Sequence, residues 1–357
     1  QISRVITEFV HSLDQKREST VIGTNYTSTC LNAAFANATM AHDIIELDEV
    51  HSKANTHTAA VIVPTALAVC EKVKKTGKDF IAAVVLGYDV ECRLAIALND
   101  TAMYVRCFHP TSVCGCFGAT AAAGKLLELD REELRNALGL AGCQASVLIA
   151  WETESLHMSK SFQAGIAARN GITAALLAQL GYSGPPAILD GKYNVFDAFS
   201  GKYNYEMLTK DLGTRFEIMG TGLKQYSCCR HIHSPLDAFL RLLNNHNVSP
   251  KEISRITVRV SETAALMTDN NELVTHNAQY ALAMAAFDTK DGRSFTERVD
   301  HPKGNPENPL TPEEIKEKFL SLTADGIGVD RSQQVIEILE KLEALEDIRQ
   351  LSLLLQA

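Results

Sequence analysis

The stretch that decides the fold runs from Cys30 to His42 and reads Cys-Leu-Asn-Ala-Ala-Phe-Ala-Asn-Ala-Thr-Met-Ala-His. It is rich in alanine and almost unbroken in apolar character, which predicts a helix that is buried on all sides. Similar alanine- and glycine-rich segments recur at 58–75, 78–99, 110–127, 131–151 and 164–180. Because small side chains let helices approach closely, we predict an all-helical bundle of antiparallel pairs over residues 1–200.

The pattern changes near Thr214. Ile253 to Val260 alternates apolar and polar residues and is rich in β-branched side chains, which predicts a strand. Residues 288–299 predict a hairpin with Asp291-Gly292 at its turn, and Thr311-Pro-Glu-Glu314 forms a capping box that starts a return to helices. We therefore expect a mainly α protein with a helical domain, an inserted smaller α+β domain and a helical return, at 1–213, 214–305 and 306–357.

Composition excludes several classes of protein. The chain has 357 residues, 46% of them hydrophobic, which is enough to bury a large core. Its net charge of −9 argues against a nucleic-acid surface, and no apolar run reaches the roughly 18 residues of a membrane span. Nine cysteines without a C-x-x-C motif are expected to be reduced, buried thiols. Gln1 to Lys16 lacks the apolar core of a signal peptide, so we expect a cytoplasmic protein.

The residues directly after the first buried helix predict proton chemistry. Three imidazoles and four carboxylates fall within His42 to His57. An acid beside an imidazole raises the pKa of the ring and fixes its tautomer, which suits general acid–base catalysis. A single such residue is more often a solvated helix cap. Zinc bound by His42, His51 and His57 is the competing possibility, but their spacing fits no common zinc motif, so we expect no metal.

Two isolated residues extend the predicted site. His109, in Phe108-His-Pro-Thr111, precedes an apolar helix, and the amino terminus of a helix favours a carboxylate ligand; the alternative is an ordinary loop histidine. Lys160 is flanked by Met158 and Phe162, so we expect it to be partly buried as an anion clamp or a base. A Schiff base on Lys160 is a further alternative.

A third polar segment reads Lys224-Gln-Tyr-Ser-Cys-Cys-Arg-His-Ile-His-Ser-Pro-Leu-Asp237. Lys224, Tyr226 and Arg230 near His233 predict an anion site. The alternative is that His233 and Asp237 form a structural cap pair. No phosphate loop or dinucleotide fingerprint accompanies these side chains. The combination indicates acid–base chemistry on a small carboxylate without a cofactor.

Taken in order, these blocks resemble the MmgE/PrpD family, which holds 2-methylcitrate dehydratases, cis-aconitate decarboxylases and iminodisuccinate epimerases. The matching blocks span most of residues 20–240. They are Val21-Ile-Gly-Thr24, Ala33-Ala-Phe-Ala-Asn37, the His42–His57 stretch, Gly87-Tyr-Asp-Val90, Phe108-His-Pro-Thr111, the Lys160 segment, and K-x-Y-x-x-C followed by His233-x-x-x-Asp237.

The resemblance implies a helical domain with a smaller α+β lid, a homodimer, and no required metal or organic cofactor. From the chemistry of the side chains, we assign Lys160 and Arg230 to carboxylate binding, with His109 and His233 as candidate base and acid. Asp48 would orient His51 or His57. The implied catalytic residues are Asp48, His51, His57, His109, Lys160 and His233. The resemblance adds Tyr280, so the predicted substrate-binding residues are Lys160, Arg230, Lys224 and Tyr280.

The predicted function is that of a lyase, first a hydro-lyase like 2-methylcitrate dehydratase. Such an enzyme removes a proton next to a carboxylate of a small di- or tricarboxylate. The alternatives are a cis-aconitate-type decarboxylase, an epimerase of an iminodisuccinate-like acid, and a family member that does not catalyse. The chain departs from the family pattern at Glu46 and at His57-Thr58-Ala59, which leaves the substrate open. Between Phe287 and Asp288 it skips a long piece of the family's lid, so we expect that this peptide bond is not a real continuity.

Overall fold

The computed structural model describes residues 2–13, 16–42, 47–154, 158–260, 264–265, 268–269, 277–278 and 287–357, with the backbone alone at 250, 287 and 288. These residues are mainly helical, as the sequence predicts. The helices of the first two hundred residues are α1 (Ile2–Ser12), α2 (Cys30–Ala41), α3 (Thr58–Val73), α4 (Gly77–Leu98), α5 (Asp100–Val105), α6 (Pro110–Leu126), α7 (Arg131–Gln144), α8 (Met158–Gln179) and α9 (Val195–Phe199).

The centre of this bundle is α6, which is buried along almost its whole length between α4 and α8. Helix α2 packs on α8 and α3, and nine of its twelve residues are buried. The prediction of a buried helix at Cys30–His42 is therefore confirmed, with His42 as the residue that caps its end. Short 3-10 turns at Ile149–Thr153 and Tyr205–Leu208 connect the longer helices.

Small residues set the spacing of these helices. A methyl group added at Gly118 would lie 2.7 Å from the carbonyl oxygen of Gly87, so α4 and α6 touch backbone to backbone. One added at Gly165 would lie 2.6 Å from the carbonyl oxygen of Phe35, where α8 crosses α2. Because real Cβ atoms do not approach that closely, alanine at either glycine would force the helices apart.

A second, smaller hydrophobic core lies after residue 214. It surrounds α10 (Arg230–His246) and includes the buried side chains of Ile232, Phe239 and Leu242. Beside it, β5 (Ile253–Ile256) pairs antiparallel with β6 (Phe287–Thr289), so the strand predicted over 253–260 is shorter than expected. The arrangement of this region as a lid, and the division into domains, stay predictions.

The predicted hairpin around Asp291-Gly292 is only partly correct. The turn is present, with Gly292 at a φ of +88° and the amide of Thr289 donating to the carbonyl of Arg293 at 2.8 Å. The arm before the turn is β6, which also pairs antiparallel with β5, a partner that the hairpin prediction did not include. The partner of an edge strand is chosen by tertiary packing, which a local turn signal does not reveal.

The chain returns to the bundle through α11 (Pro312–Ile327), α12 (Val329–Glu340) and α13 (Arg349–Leu354). The predicted capping box of Thr311 and Glu314 is confirmed. All nine cysteines are free, and seven are buried as expected, whereas Cys107 and Cys143 are exposed. None of the helices in the described part of the chain combines the length and the apolar character that crossing a bilayer would require.

One short ladder joins the two halves of the chain and positions the site. Strand β3 (Glu49–His51) pairs antiparallel with β4 (Thr221–Leu223), and Glu49 lies opposite Leu223. The next pair in this register is Asp48 and Lys224, whose backbones share a hydrogen bond of 3.3 Å. A separate ladder of β1 (Ser19–Thr20) with β2 (Thr27–Ser28) lies under α2.

Candidate active site

Three helix amino termini of the bundle meet at one cavity. The residues just before α3 and α6 are His57 and His109, and the first turn of α8 supplies Lys160. His42, at the carboxyl end of α2, lies behind them, with its ring centroid 4.4 Å from that of His57. The ends are tied together, since the backbone amide of His57 donates to the hydroxyl of Thr111 at 3.2 Å. Three helix amino termini at one cavity make it favourable for anions.

Asp48 lies at the centre of the predicted His/acid cluster. Its Oδ2 accepts hydrogen bonds from Nδ1 of His42 at 2.9 Å and from Nδ1 of His57 at 2.7 Å, and its Oδ1 lies 3.1 Å from Nζ of Lys224. Burial raises the pKa of Asp48, but the neighbouring His57 and Lys224 and the hydrogen bonds from both histidines outweigh burial and hold that pKa well below its usual value. Asp48 is therefore ionised.

The carboxylate of Asp48 fixes the tautomer of His57. An ionised carboxylate only accepts hydrogen bonds, so Nδ1 of His57 carries the proton and Nε2 is left as a base. Burial lowers the pKa of His57 to about 4, against the opposing effect of Asp48. In the ligand-free cavity, His57 is a neutral imidazole.

His109 is fixed in the same way by an amide. The side-chain nitrogen of Gln163 donates to the carbonyl of Leu148 at 2.7 Å, so its oxygen faces Nδ1 of His109 at 2.8 Å and accepts from it. Nε2 of His109 is therefore the basic nitrogen. Burial, and after it the charges of His42 and Lys160, lower the pKa of His109 well below its usual value.

Lys160 is buried, as predicted, with 6% of its surface exposed. Its Nζ lies 5.0 Å from the ring centroid of Trp151, at a distance typical of a cation–π contact. The same indole meets the ring of His109 edge-on at 5.6 Å. We call these side chains, namely His57, His109, Trp151 and Lys160, the bundle wall.

The facing side chains come from the segment that leads into α10, and we call Lys224, Cys229, Arg230 and His231 the α10 wall. Lys224 is fully buried. Arg230 donates to the side-chain oxygen of Asn305, and its Nη1 lies 3.1 Å from Nδ1 of His233. Positive side chains thus stand on both sides of the cavity.

The cavity is small. It encloses about 30 Å³, room for about two water molecules. A di- or tricarboxylate is larger than this volume, so we expect the two walls to separate if such a ligand binds here. The lining residues are Val50, Asn55, His57, Tyr104, His109, Trp151, Lys160, Lys224, Cys229, Arg230 and His231.

Five residues that the sequence predicts for the site line this cavity: His57, His109, Lys160, Lys224 and Arg230. Asp48 lies directly behind them, bonded to His57 and Lys224. Their catalytic and binding roles remain predictions, and Tyr280 lies outside the described residues.

Two predicted site residues lie away from the cavity lining. Nδ1 of His51 accepts from the backbone amide of Ala54 at 2.9 Å, and its Nε2 lies 3.4 Å from Glu217. The histidines that bond to Asp48 are instead His42 and His57. His233 is fully buried behind Arg230, with its Nε2 3.3 Å from the carbonyl of Cys228. Burial lowers the pKa of His233 to about 3.

Sequence reasoning missed part of the site. It assigned no role to Val50, Asn55, Tyr104, Trp151, Cys229 or His231, which line the cavity. Trp151, the single tryptophan of the chain, was a usable signal. His231 stands two positions before His233, and only the orientation of α10 distinguishes them.

One group of possible metal ligands occurs among the described residues. His42, Asp48 and His57 bring ligand atoms within 4.8 Å of one another, whereas His51 of the predicted zinc alternative is not part of the group. A metal there would displace both Nδ1 protons from Asp48 and would sit beside the ammonium of Lys224. The geometry favours a hydrogen-bonded cluster, and the expectation of no metal stays a prediction.

Comparison with known proteins gives the family. The model of the MmgE/PrpD N-terminal domain matches residues 1–208, and that of the MmgE/PrpD C-terminal domain matches 226–290 and 286–344. The two segments of the second match meet where the sequence predicts a missing piece of the lid.

Similar proteins are named as decarboxylases. Cis-aconitate decarboxylase-like protein oryM of Aspergillus oryzae is 27% identical over 90% of this chain and 80% of its own length. Cis-aconitate decarboxylase of Aspergillus terreus is 26% identical over 89% and 78%, and that of Mus musculus is 27% identical over 91% and 78%. With the family model matching more than half of its residues, this chain belongs to the MmgE/PrpD family.

Proposed function

We propose that this protein is a lyase for a small di- or tricarboxylate, and that decarboxylation of the cis-aconitate type is its reaction. The observation that carries the proposal is the cavity itself, where Lys160, Lys224 and Arg230 meet the neutral imidazoles of His57 and His109. The names of the relatives favour decarboxylation over the dehydration expected from sequence alone.

The reaction makes definite demands on the site. In cis-aconitate, the bond between the methylene carbon and its carboxylate breaks, and CO₂ leaves. The electron pair of that bond forms a new terminal double bond, and the pair of the old double bond moves to the carbon next to a remaining carboxylate. That carbon takes up one proton. Negative charge develops on the remaining carboxylate, where a fixed cation stabilises the transition state.

Lys160 is the cation best placed for this role. It is buried beside the Trp151 ring, and a charge in a site shielded from water interacts more strongly than one in solvent. We assign Lys160 to the carboxylate that gains charge, and Arg230 to a second carboxylate.

The imidazoles supply the proton. A trianionic ligand adds negative charge to the cavity and so raises the pKa of His57 and His109. Because Asp48 stays ionised, it stabilises the imidazolium form of His57. Substrate binding thereby protonates an imidazole of the bundle wall, which then supplies the proton that the reaction consumes.

A hydro-lyase is the second candidate. It is favoured by the ligand-free state of the same residues, because a neutral His57 or His109 with a free Nε2 suits removal of a proton from carbon. Epimerisation would need the same bases on two sides of the substrate. A homodimer, a cytoplasmic location, a closing lid and independence from cofactors remain part of the proposal.

The test is a panel of tri- and dicarboxylates, incubated with the enzyme in deuterium oxide and followed by proton NMR. Decarboxylation of cis-aconitate gives CO₂ and a product with one deuterium on carbon. Dehydration gives a new vinyl signal without CO₂, and epimerisation gives deuterium exchange at the stereocentre. No change with any member of the panel would overturn the proposal and favour a family member that does not catalyse.

A further inference from the structure

We infer that His231 is a substrate-binding residue, which takes up a proton when a carboxylate ligand enters and then donates a charge-assisted hydrogen bond to it. The inference rests on the proposed function for the class of ligand. It adds a residue on the α10 wall that is not among the predicted site residues.

The orientation of α10 singles out His231. The helix begins at Arg230, and its first two residues line the cavity. Successive residues of an α-helix are about 100° apart, so His231 and His233 point about 200° apart. His233 accordingly faces the protein interior behind Arg230, and His231 faces the cavity.

The ring of His231 is free to serve a ligand. His57 is held by Asp48 and His109 by Gln163, whereas no described residue forms a hydrogen bond that fixes His231. Both of its nitrogens are thus available to an incoming group. The ring is nonetheless part of a cavity wall and only partly exposed.

The charges around His231 explain why its protonation follows the ligand. Burial, and after it the charge of Lys224, lower the pKa of His231. A bound di- or trianion offsets the positive charge of the cavity. A negative charge within about 4–6 Å of an imidazole raises its pKa by about 1–3 units. The titratable groups that face the same cavity are Tyr104, Lys160, Lys224, Cys229, Arg230, His57 and His109.

The consequence is proton uptake on binding. The proton comes from solvent and goes to the free ring nitrogen of His231, and no covalent bond of the ligand changes. A hydrogen bond from a charged donor to a carboxylate is about twice as strong as a neutral one. A glutamine at this position would keep a hydrogen-bond donor but could not carry the charge.

The experiment measures binding without turnover. Tricarballylate, a saturated tricarboxylate without hydroxyl or double bond, is titrated into the full chain by calorimetry in buffers of different ionisation enthalpy near pH 6.5. We expect His231→Gln to weaken binding about tenfold, equivalent to 1.4 kcal/mol, and to take up at least about 0.5 proton fewer than the wild type. His246→Gln, a change at the exposed far end of the same helix, is the matched control and should bind like the wild type.

Equal affinity and equal proton uptake in His231→Gln and the wild type would overturn the inference. So would equal losses in His231→Gln and His246→Gln, since a change that any histidine of the helix produces does not belong to the cavity. The result is independent of the NMR panel, because a protein that converts no substrate can still show the loss of proton uptake. Failure of the inference and failure of the proposed lyase activity are thus distinguishable.

Discussion

The bundle wall and the α10 wall of the cavity are held in place by different means. On the bundle wall, His57 and His109 each have one ring nitrogen fixed by a partner. Both lie at the start of helices that pack in the main core. On the α10 wall, Arg230 and His231 start a helix that packs on a small separate core. The bundle wall is therefore the more firmly held of the two, and we expect the α10 wall to be the one that moves on ligand binding.

A few contacts attach the α10 wall to the rest of the chain. The ladder of β3 with β4 brings Lys224 to Asp48. Lys318 of α11 donates to the backbone carbonyls of Leu47 at 2.8 Å and Lys224 at 2.5 Å, so it clamps the end of that ladder. Since the cavity holds only about 30 Å³, we expect α10 to move outward when a ligand binds, and these contacts to hold Lys224 in place.

The largest effect is expected on the bundle wall. Lys160→Ala should lower kcat/KM by about a hundredfold or more, because a charged hydrogen bond is worth about 1.5–3 kcal/mol and its transition-state contribution is lost as well. Steady-state kinetics with the substrate found by NMR measures it, and circular dichroism checks that the fold is kept. Lys78→Ala, on the exposed surface of α4, is the control. Near-normal kcat/KM in Lys160→Ala would show that this lysine does not hold the substrate.

A smaller effect is expected behind the α10 wall, at His233. If His233 transfers a proton, as the sequence predicts, its substitution would lower kcat by about two to four orders of magnitude. Its contact with Arg230 instead predicts that His233→Gln raises KM about tenfold, because Arg230 loses a neighbour that orients it. Kinetics that separate kcat from KM decide between the two. A loss confined to kcat would contradict the structural placement.

The pH dependence of stability at Glu49 tests how firmly the start of α3, next to His57, is held. Its carboxyl accepts from the amide of Ala59 at the start of α3, next to His57. Burial raises the pKa of Glu49 to about 8, with Ala59 lowering and Asp48 raising it. The folded state thus holds the proton to a higher pH than the unfolded state, and this contribution to stability is present at low pH and is lost as pH rises from about 4.5 to 8.

Glu49→Gln cannot ionise and should escape that loss. From pH 5 to pH 9, the free energy of unfolding of Glu49→Gln should rise relative to that of the wild type by about 4 kcal/mol, at about 1.4 kcal/mol for each of the roughly three pH units between 5 and 8. Urea denaturation at both pH values measures the gain, with the exposed Glu132→Gln as control. A constant difference between variant and wild type would mean that Glu49 ionises normally.

No effect is expected from chelators. The Nδ1 atoms of His42 and His57 donate to Asp48, beside the ammonium of Lys224, so the cluster is complete with protons alone. Dialysis against EDTA should leave kcat/KM unchanged. Activity that is lost and then restored by one metal ion would assign His42, Asp48 and His57 to a metal site.

The sequence predicted the bundle wall better than the α10 wall for a physical reason. Alanine-rich helices and their ends are local signals, so the positions of His109 before α6 and of Lys160 in α8 could be predicted. The ladder of β3 with β4 joins three-residue strands that are far apart in sequence, and no local pattern encodes its register. The same limit hid which histidine of α10 faces the cavity, because that depends on how the helix is turned.

A crystal structure of the protein with tricarballylate tests most directly that both walls hold one carboxylate ligand. We predict that one ligand carboxylate lies within hydrogen-bond distance of Lys160 and another within that distance of Arg230 or His231. The cavity should then be several times larger than its ligand-free 30 Å³, with α10 displaced outward. A ligand bound elsewhere, or bound by one wall alone while the cavity keeps its volume, would contradict it.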